Sequence, residues 1–153
     1  MSVRRVDLDL DGSGLRVGVA VAEWNGSITG PLADGTLERL AELGVAAVKV
    51  ARVPGASELP VVARSLAAGH DAVVAIGVVI EGETDHYTHI ATQATRGLTQ
   101  VSLDTGVPVA NALLTVRDVA HAVERSVPGD ANKGREAAEA AVATANLLRE
   151  LGR

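Results

Sequence analysis

Residues 71–80 read Asp71-Ala-Val-Val-Ala-Ile-Gly-Val-Val-Ile80, an apolar run with a polar residue only at its first position. Successive side chains of a strand point to opposite faces, so a run without alternation predicts a strand covered on both sides, as in a parallel sheet. Working outward from it, upstream residues Leu15 to Ala22 and Val45 to Val53 predict two more strands, the second stopped by Pro54-Gly55. Between them, Pro31 to Leu43 predicts a helix with Leu32, Leu40 and Leu43 on its inner face and Gly44 after its end. Ser57 to Ala68 predicts a second helix that tolerates Pro60 in its first turn. Downstream, Asp85 is placed to cap a helix running to about Asp104. A strand over Val107 to Leu114, a short helix near Arg117 to Arg125 and an Ala-rich helix from about Gly134 to Leu151 complete the pattern. Strand and helix alternate four times, the mark of an α/β sandwich on a parallel sheet. Val6, Leu8 and Leu10 alternate with Arg5, Asp7 and Asp9 and predict an extra strand that pairs at a sheet edge, in this subunit or another, before a turn at residues 11–14.

The chain has 153 residues, 19 acidic and 14 basic, for a net charge of −5. One domain spanning 1–153 is expected, with no linker or composition shift inside it. The mild acidity speaks against a nucleic-acid partner. No apolar run is long enough to span a membrane and no signal segment is evident, so no membrane association and a cytoplasmic location are expected. Absence of cysteine excludes disulfides, thiolate metal sites and cysteine nucleophiles. Aromatic residues are almost missing: Trp24 and Tyr87 stand alone, and the core must come from 26 Ala, 23 Val, 16 Leu and 4 Ile. Small side chains bury little area each, so subunit contacts are expected to supply part of the stability.

In parallel α/β sheets, ligands bind beyond the carboxyl ends of the strands. Those loops carry Glu23-Trp24-Asn25-Gly26, then Pro54 to Glu58, then Glu81 to Tyr87, then Thr115 and its neighbours. Trp24 is placed to stack on a planar heterocycle, or else to cap the sheet rim. Gly82-Glu83-Thr84 opens a helix, where free backbone N–H groups favour an anion such as phosphate. His86 in that first turn suits proton exchange near neutral pH. His89 and Asp85 lie close in sequence, but no further histidine completes a cluster and no metal is expected. Gly12-Ser-Gly14 precedes its strand and is no dinucleotide fingerprint. Gly129 to Gly134 lacks the Gly-Lys-Ser/Thr of a P-loop. Arg125 and Lys133 flank that last loop, either as phosphate ligands or as ordinary solvated charges.

The segments Val53-Pro-Gly-Ala-Ser-Glu-Leu-Pro60, Ala75-Ile-Gly-Val-Val-Ile-Glu-Gly-Glu-Thr-Asp-His-Tyr87, Pro108-Val-Ala-Asn-Ala-Leu-Leu-Thr115 and Asn132-Lys-Gly134 resemble those of the lumazine synthase family, in order, from about Leu15 to Leu151. The resemblance implies a flavodoxin-like three-layer α/β/α sandwich with a central parallel four-stranded sheet. It implies pentamers with active sites between adjacent subunits. It also implies condensation of a ribitylaminopyrimidinedione with a dihydroxybutanone phosphate, without cofactor or metal, and riboflavin synthase as a functional partner. On this reading Trp24, Asn25, Ala56, Ser57, Glu58, Val78, Val79, Ile80, Asn111 and Lys133 bind substrate, with Trp24 stacked on the pyrimidine and Glu58 accepting ribityl hydroxyls. Gly82, Glu83, Thr84 and Arg125 match the phosphate site and His86 the proton-transfer histidine, while Asn111 matches a position that reaches the neighbouring subunit's site.

Three positions depart from the family pattern. Glu81 stands where many relatives carry arginine, Ser57 where a larger apolar side chain is frequent, and Trp24 where phenylalanine is. The short Arg125 to Lys133 spacing is that of relatives that build 60-subunit shells, whereas Pro128-Gly129-Asp130-Ala131 departs from their usual turn; pentamer, decamer and shell are all expectations. A flavin-binding module and a catalytically silent shell protein are the alternative readings, and the presence of His86, Arg125 and Lys133 speaks against both.

Overall fold

A computed structural model describes residues 1–152 of the chain. Four strands, β1 (Arg16–Ala22), β2 (Ala47–Val53), β3 (Ala72–Ile80) and β4 (Val109–Val116), form one parallel sheet in the order β2-β1-β3-β4. Helices α1 (Gly26–Glu42), α4 (Val119–Ser126) and α5 (Lys133–Glu150) cover one face, and α2 (Leu59–Ala67) and α3 (His86–Thr105) cover the other. This is the three-layer, flavodoxin-like arrangement expected above. β3 is buried along nearly its whole length, as its unbroken apolar run requires. Val74, Ile76 and Val78 face α1 and α5; Val73, Ala75 and Val79 face α2 and α3.

The core is built from small aliphatic residues, and Ala137, Ala138, Ala141 and Ala145 bring α5 close to α1. The gap is narrow enough that a Cβ on Gly134 would stand 2.7 Å from Thr36 Oγ1. Neither aromatic side chain fills the interior: Trp24 is exposed and Tyr87 half-buried. Among the described residues, no helix is long and apolar enough to cross a membrane.

Two local expectations need correction. Helix α1 starts at Gly26, five residues before the predicted Pro31, which lies inside it. Asn25, at φ 62° in the left-handed region, turns the chain into the helix, and burial of Ile28 and Leu32 outweighs the amide that Pro31 cannot supply. Asp85 precedes α3 but forms no side-chain cap; the His86 N–H is taken instead by Thr84 Oγ1 at 3.3 Å. Among the described residues, Val6 to Leu10 pairs with no strand of this chain, so of the two edges expected for it only another subunit's remains. That segment is tied to the end of α5, where Asn146 Nδ2 donates to the carbonyls of Asp9 at 2.9 Å and Asp11 at 2.8 Å, and Arg4 pairs with Glu150.

Candidate active site

The chain leaves β1 toward β2 on one side and returns to β3 on the other, so the sheet has its switch point between β1 and β3. A crevice opens beyond the carboxyl ends of two strands that diverge in this way. Here it is a cleft of about 440 Å³. Ala22, Trp24 and Asn25 line it from the end of β1, Gly55 to Glu58 from the loop after β2, Val78 to Ile80 from the end of β3, and His86 and Ile90 from the start of α3. The structure thus gathers nine of the residues singled out above: Trp24, Asn25, Ala56, Ser57, Glu58, Val78, Val79, Ile80 and His86.

The first wall is an extension of the sheet. Glu23 N–H donates to Val53 O at 2.8 Å and Trp24 N–H to Pro54 O at 3.0 Å, carrying the β1–β2 pairing into the loops. This lays the Trp24 indole over Gly55, where an added Cβ would meet its ring. With 65% of Trp24 exposed, the ring has one supported face and free surface to stack on a planar ligand. Opposite, the chain makes a single 3₁₀ turn over Ala56–Glu58. Glu58 Oε2 accepts the Gly55 N–H at 3.0 Å, which fixes the carboxylate and leaves its other oxygen to accept hydroxyl protons.

The far wall is the start of α3. His86 and Ile90 of this 20-residue helix line the cleft, and Gly82, Glu83 and Thr84 are exposed just before it, outside the lining itself. Such an end holds an anion well because its N–H groups lack helical partners and carry partial positive charge. Glu81 does not stand alone here. Its N–H donates to Val116 O at 2.9 Å, and its carboxylate lies 3.5 Å from Nε of Arg117. The pairing follows from register, since Ile80 sits opposite Val116 and the next residue of each strand follows suit. Arg117 was missed in the sequence because nothing local ties it to position 81.

Asn111, Arg125 and Lys133 are not brought to this cleft within one chain. Asn111 lies opposite Ala75 on the outer edge of β4, exposed, its Oδ1 accepting the Leu113 N–H at 2.7 Å. Arg125, in the last turn of α4, donates from Nη1 to His121 O at 2.9 Å. Lys133 opens α5 and bonds Glu136 at 2.7 Å. Helices α4 and α5 cover the sheet face opposite α2 and α3. Gly55, placed by the sequence in the Pro54–Glu58 loop but given no role of its own, belongs to the site because any side chain there would displace Trp24.

The 6,7-dimethyl-8-ribityllumazine synthase family model matches residues 14–149. Curated relatives described as 6,7-dimethyl-8-ribityllumazine synthase are similar along almost the whole chain. The protein of Mycobacterium sp. (strain KMS) is 45% identical over 144 residues, 93% of this chain and 90% of its own. That of Mycobacteroides abscessus is 47% identical over 143 residues, 92% of this chain and 89% of its own. That of Cutibacterium acnes is 46% identical over 141 residues, 91% and 85% respectively.

Proposed function

The chain belongs to the 6,7-dimethyl-8-ribityllumazine synthase family, and from that premise we propose the reaction it performs in riboflavin biosynthesis. It condenses 5-amino-6-ribitylamino-2,4(1H,3H)-pyrimidinedione with 3,4-dihydroxy-2-butanone 4-phosphate, releasing 6,7-dimethyl-8-ribityllumazine, inorganic phosphate and water, as a transferase. The observation that carries the reading is the switch-point cleft, in which an indole with a free face, a fixed carboxylate, a histidine and a helix N-terminus line one cavity.

Each group has a task in that chemistry. Trp24 stacks on the pyrimidinedione and Glu58 accepts hydrogen bonds from the ribityl chain, with Asn25, Ala56, Ser57 and the Val78–Ile80 strand end shaping the walls. The phosphate rests on the Gly82–Thr84 helix start. The amine of the pyrimidinedione attacks the ketone to form an imine with loss of one water, phosphate is eliminated, and the ribitylamino nitrogen closes the ring on the remaining carbonyl with loss of a second water. His86 passes the protons those steps require in both directions. Both substrates are intrinsically reactive, so holding them together supplies much of the acceleration. Neither a cofactor nor a metal enters the scheme.

We further propose that Asn111, Arg125 and Lys133 complete the cleft of an adjacent subunit in a pentamer. Two observations support an assembly through sheet edges. On the outer edge of β4, side chains take two backbone N–H groups, Ser102 Oγ that of Val109 at 3.0 Å and Asn111 Oδ1 that of Leu113. The β2 edge is open, with Val48 and Val50 exposed beside it, while the unpaired Val6–Leu10 segment leaves Leu8 72% exposed. Pairing that segment on a neighbour's β2 edge would bury both. A cytoplasmic location and riboflavin synthase as the enzyme consuming the product belong to the same reading. Incubating the purified chain with both substrates and following lumazine absorbance and fluorescence tests it. Product formation above the spontaneous rate is expected, and a rate equal to the spontaneous one would overturn the assignment.

A further inference from the structure

Among the described residues, the interior contains one side-chain amide, Asn132, which the sequence showed only inside a motif and to which the reaction gives no task. Asn132 is 1% exposed, and both ends of its amide are fully engaged. Its Nδ2 donates to Ser126 O at 3.0 Å and to Pro31 O at 3.2 Å. Its Oδ1 accepts from the N–H groups of Gly134 at 2.8 Å and Arg135 at 3.3 Å. The reverse orientation would set oxygen against two carbonyls and nitrogen against two N–H donors, so the hydrogen-bond inventory dictates this one. Neighbouring backbone leaves it no room to turn: a Cβ on Gly35 would stand 2.6 Å from Asn132 Cγ.

Ser126 follows Arg125, and Gly134 follows Lys133. A single planar group therefore grips the backbone one residue beyond each cation, on both sides of the 127–131 loop, and anchors both to α1 through Pro31. The loop contains Pro128 and a Gly129 at φ 105°. A backbone bond from Asn132 N–H to Gly129 O at 3.0 Å closes the loop on itself but does not reach Arg125. The two head groups are in turn tethered close to their own backbones, Arg125 to His121 O and Lys133 to Glu136. Backbone placement here is thus transmitted to charge placement.

We propose that Asn132 is a positioning residue for phosphate: its amide sets the separation of Arg125 and Lys133 so that both meet the phosphate of the substrate. This rests on the phosphate role given to Arg125 above. Guanidinium recognition of phosphate is geometrically demanding, and a displacement near 1 Å suffices to weaken it strongly.

The test compares the assembled wild type with N132A, N132D, T36V and R125A, by steady-state kinetics and by calorimetric binding of inorganic phosphate. N132D keeps an oxygen to cap α5 but loses the donors to Ser126 and Pro31, and it serves if N132A fails to fold. T36V removes the Thr36 hydroxyl bonds to Leu32 O and Gly134 O at the same α1–α5 contact and keeps all four hydrogen bonds of the Asn132 amide. We expect N132D to raise the KM for the butanone phosphate and the Kd for inorganic phosphate about tenfold, with the pyrimidinedione KM within about twofold. T36V should lower Tm and leave all three values in place. Unchanged phosphate affinity in N132D and N132A, with affinity lost in R125A, would overturn the positioning role and leave the phosphate reading standing. An equal rise in T36V would overturn it as well, since general loosening would then suffice. Unchanged affinity in R125A would overturn the phosphate reading itself.

Discussion

The indole of Trp24 lies directly on the bare backbone of Gly55, so that a Cβ added to Gly55 would stand 2.6 Å from Cζ3 of the ring. Gly55 is extended, at φ −147° and ψ −173°, a conformation open to any residue, and its glycine is therefore required by the ring and not by the backbone. Gly55→Ala should leave the fold intact, because the exposed indole can swing outward. It should raise the pyrimidinedione KM and leave that of the butanone phosphate unchanged. Base–aromatic stacking is worth about 1–3 kcal/mol, so Trp24→Ala should raise the same KM roughly 5- to 150-fold, with Gly55→Ala below it. Steady-state kinetics with each substrate varied in turn measure both.

His86 is exposed at the first position of α3, and its side chain holds no part of the fold in place. His86→Ala should therefore assemble with an unchanged Tm and lose at most about 10²-fold in turnover, the range of general acid–base help. Wild-type turnover in that variant would remove His86 from the mechanism.

Arg117, 3.5 Å from Glu81, offsets the charge that Glu81 places beside the proposed phosphate site. Arg117→Ala should uncover that charge and raise the KM of the butanone phosphate by roughly two- to fivefold, more at low salt, as expected of an exposed pair. Adding Glu81→Gln should restore it, and the double-mutant cycle measures the coupling. Glu81→Arg should lower that KM with the same salt dependence. If none of these values responds to salt, both side chains face away from the phosphate.

Helices α1 and α5 are joined by charge as well as by alanine packing. Arg135 donates to Glu42 through both terminal nitrogens, at 3.2 Å and 2.7 Å. Hydrogen bonds from Arg135, and then from Arg39, hold the Glu42 carboxyl below the ordinary glutamate range. A carboxyl lowered in the folded state contributes stability that is complete above its unfolded pKa and is lost as pH falls through the lowered value. Glu42→Gln should thus be less stable than wild type at neutral pH, and the difference should vanish on acidification through and below the usual carboxylate range. Thermal unfolding of both proteins across that range measures it.

What could be read from the sequence was what neighbours along the chain determine. The unbroken run at Asp71–Ile80 needs no partner to announce a buried strand, and Trp24, Glu58 and His86 could be placed because each follows the end of a strand. Where distant residues intervene, the reading fell short. Pro31 resembled a helix start, yet burial of Ile28 and the left-handed Asn25 begin α1 upstream. Val6–Leu10 has the alternation of a strand, but alternation does not say which chain supplies the ladder partner, and among the described residues this one does not. Glu81 looked like an unpaired charge until the β3–β4 register set Arg117 beside it. Asn132 was visible only as part of a motif, because its partner Pro31 lies 101 positions away.

The proposed site is completed across subunits: His86 lies in the cleft of one chain, while Arg125 lies on helix α4, over the other sheet face. The direct measurement is to unfold and reassemble His86→Ala and Arg125→Ala chains together in equal amounts, verify mixed particles by native mass, and assay lumazine formation. In a mixed ring, about a quarter of the sites pair an intact His86 with a neighbour's intact Arg125, so activity should recover to about a quarter of wild type. Activity no greater than the mean of the two parents would contradict a shared site.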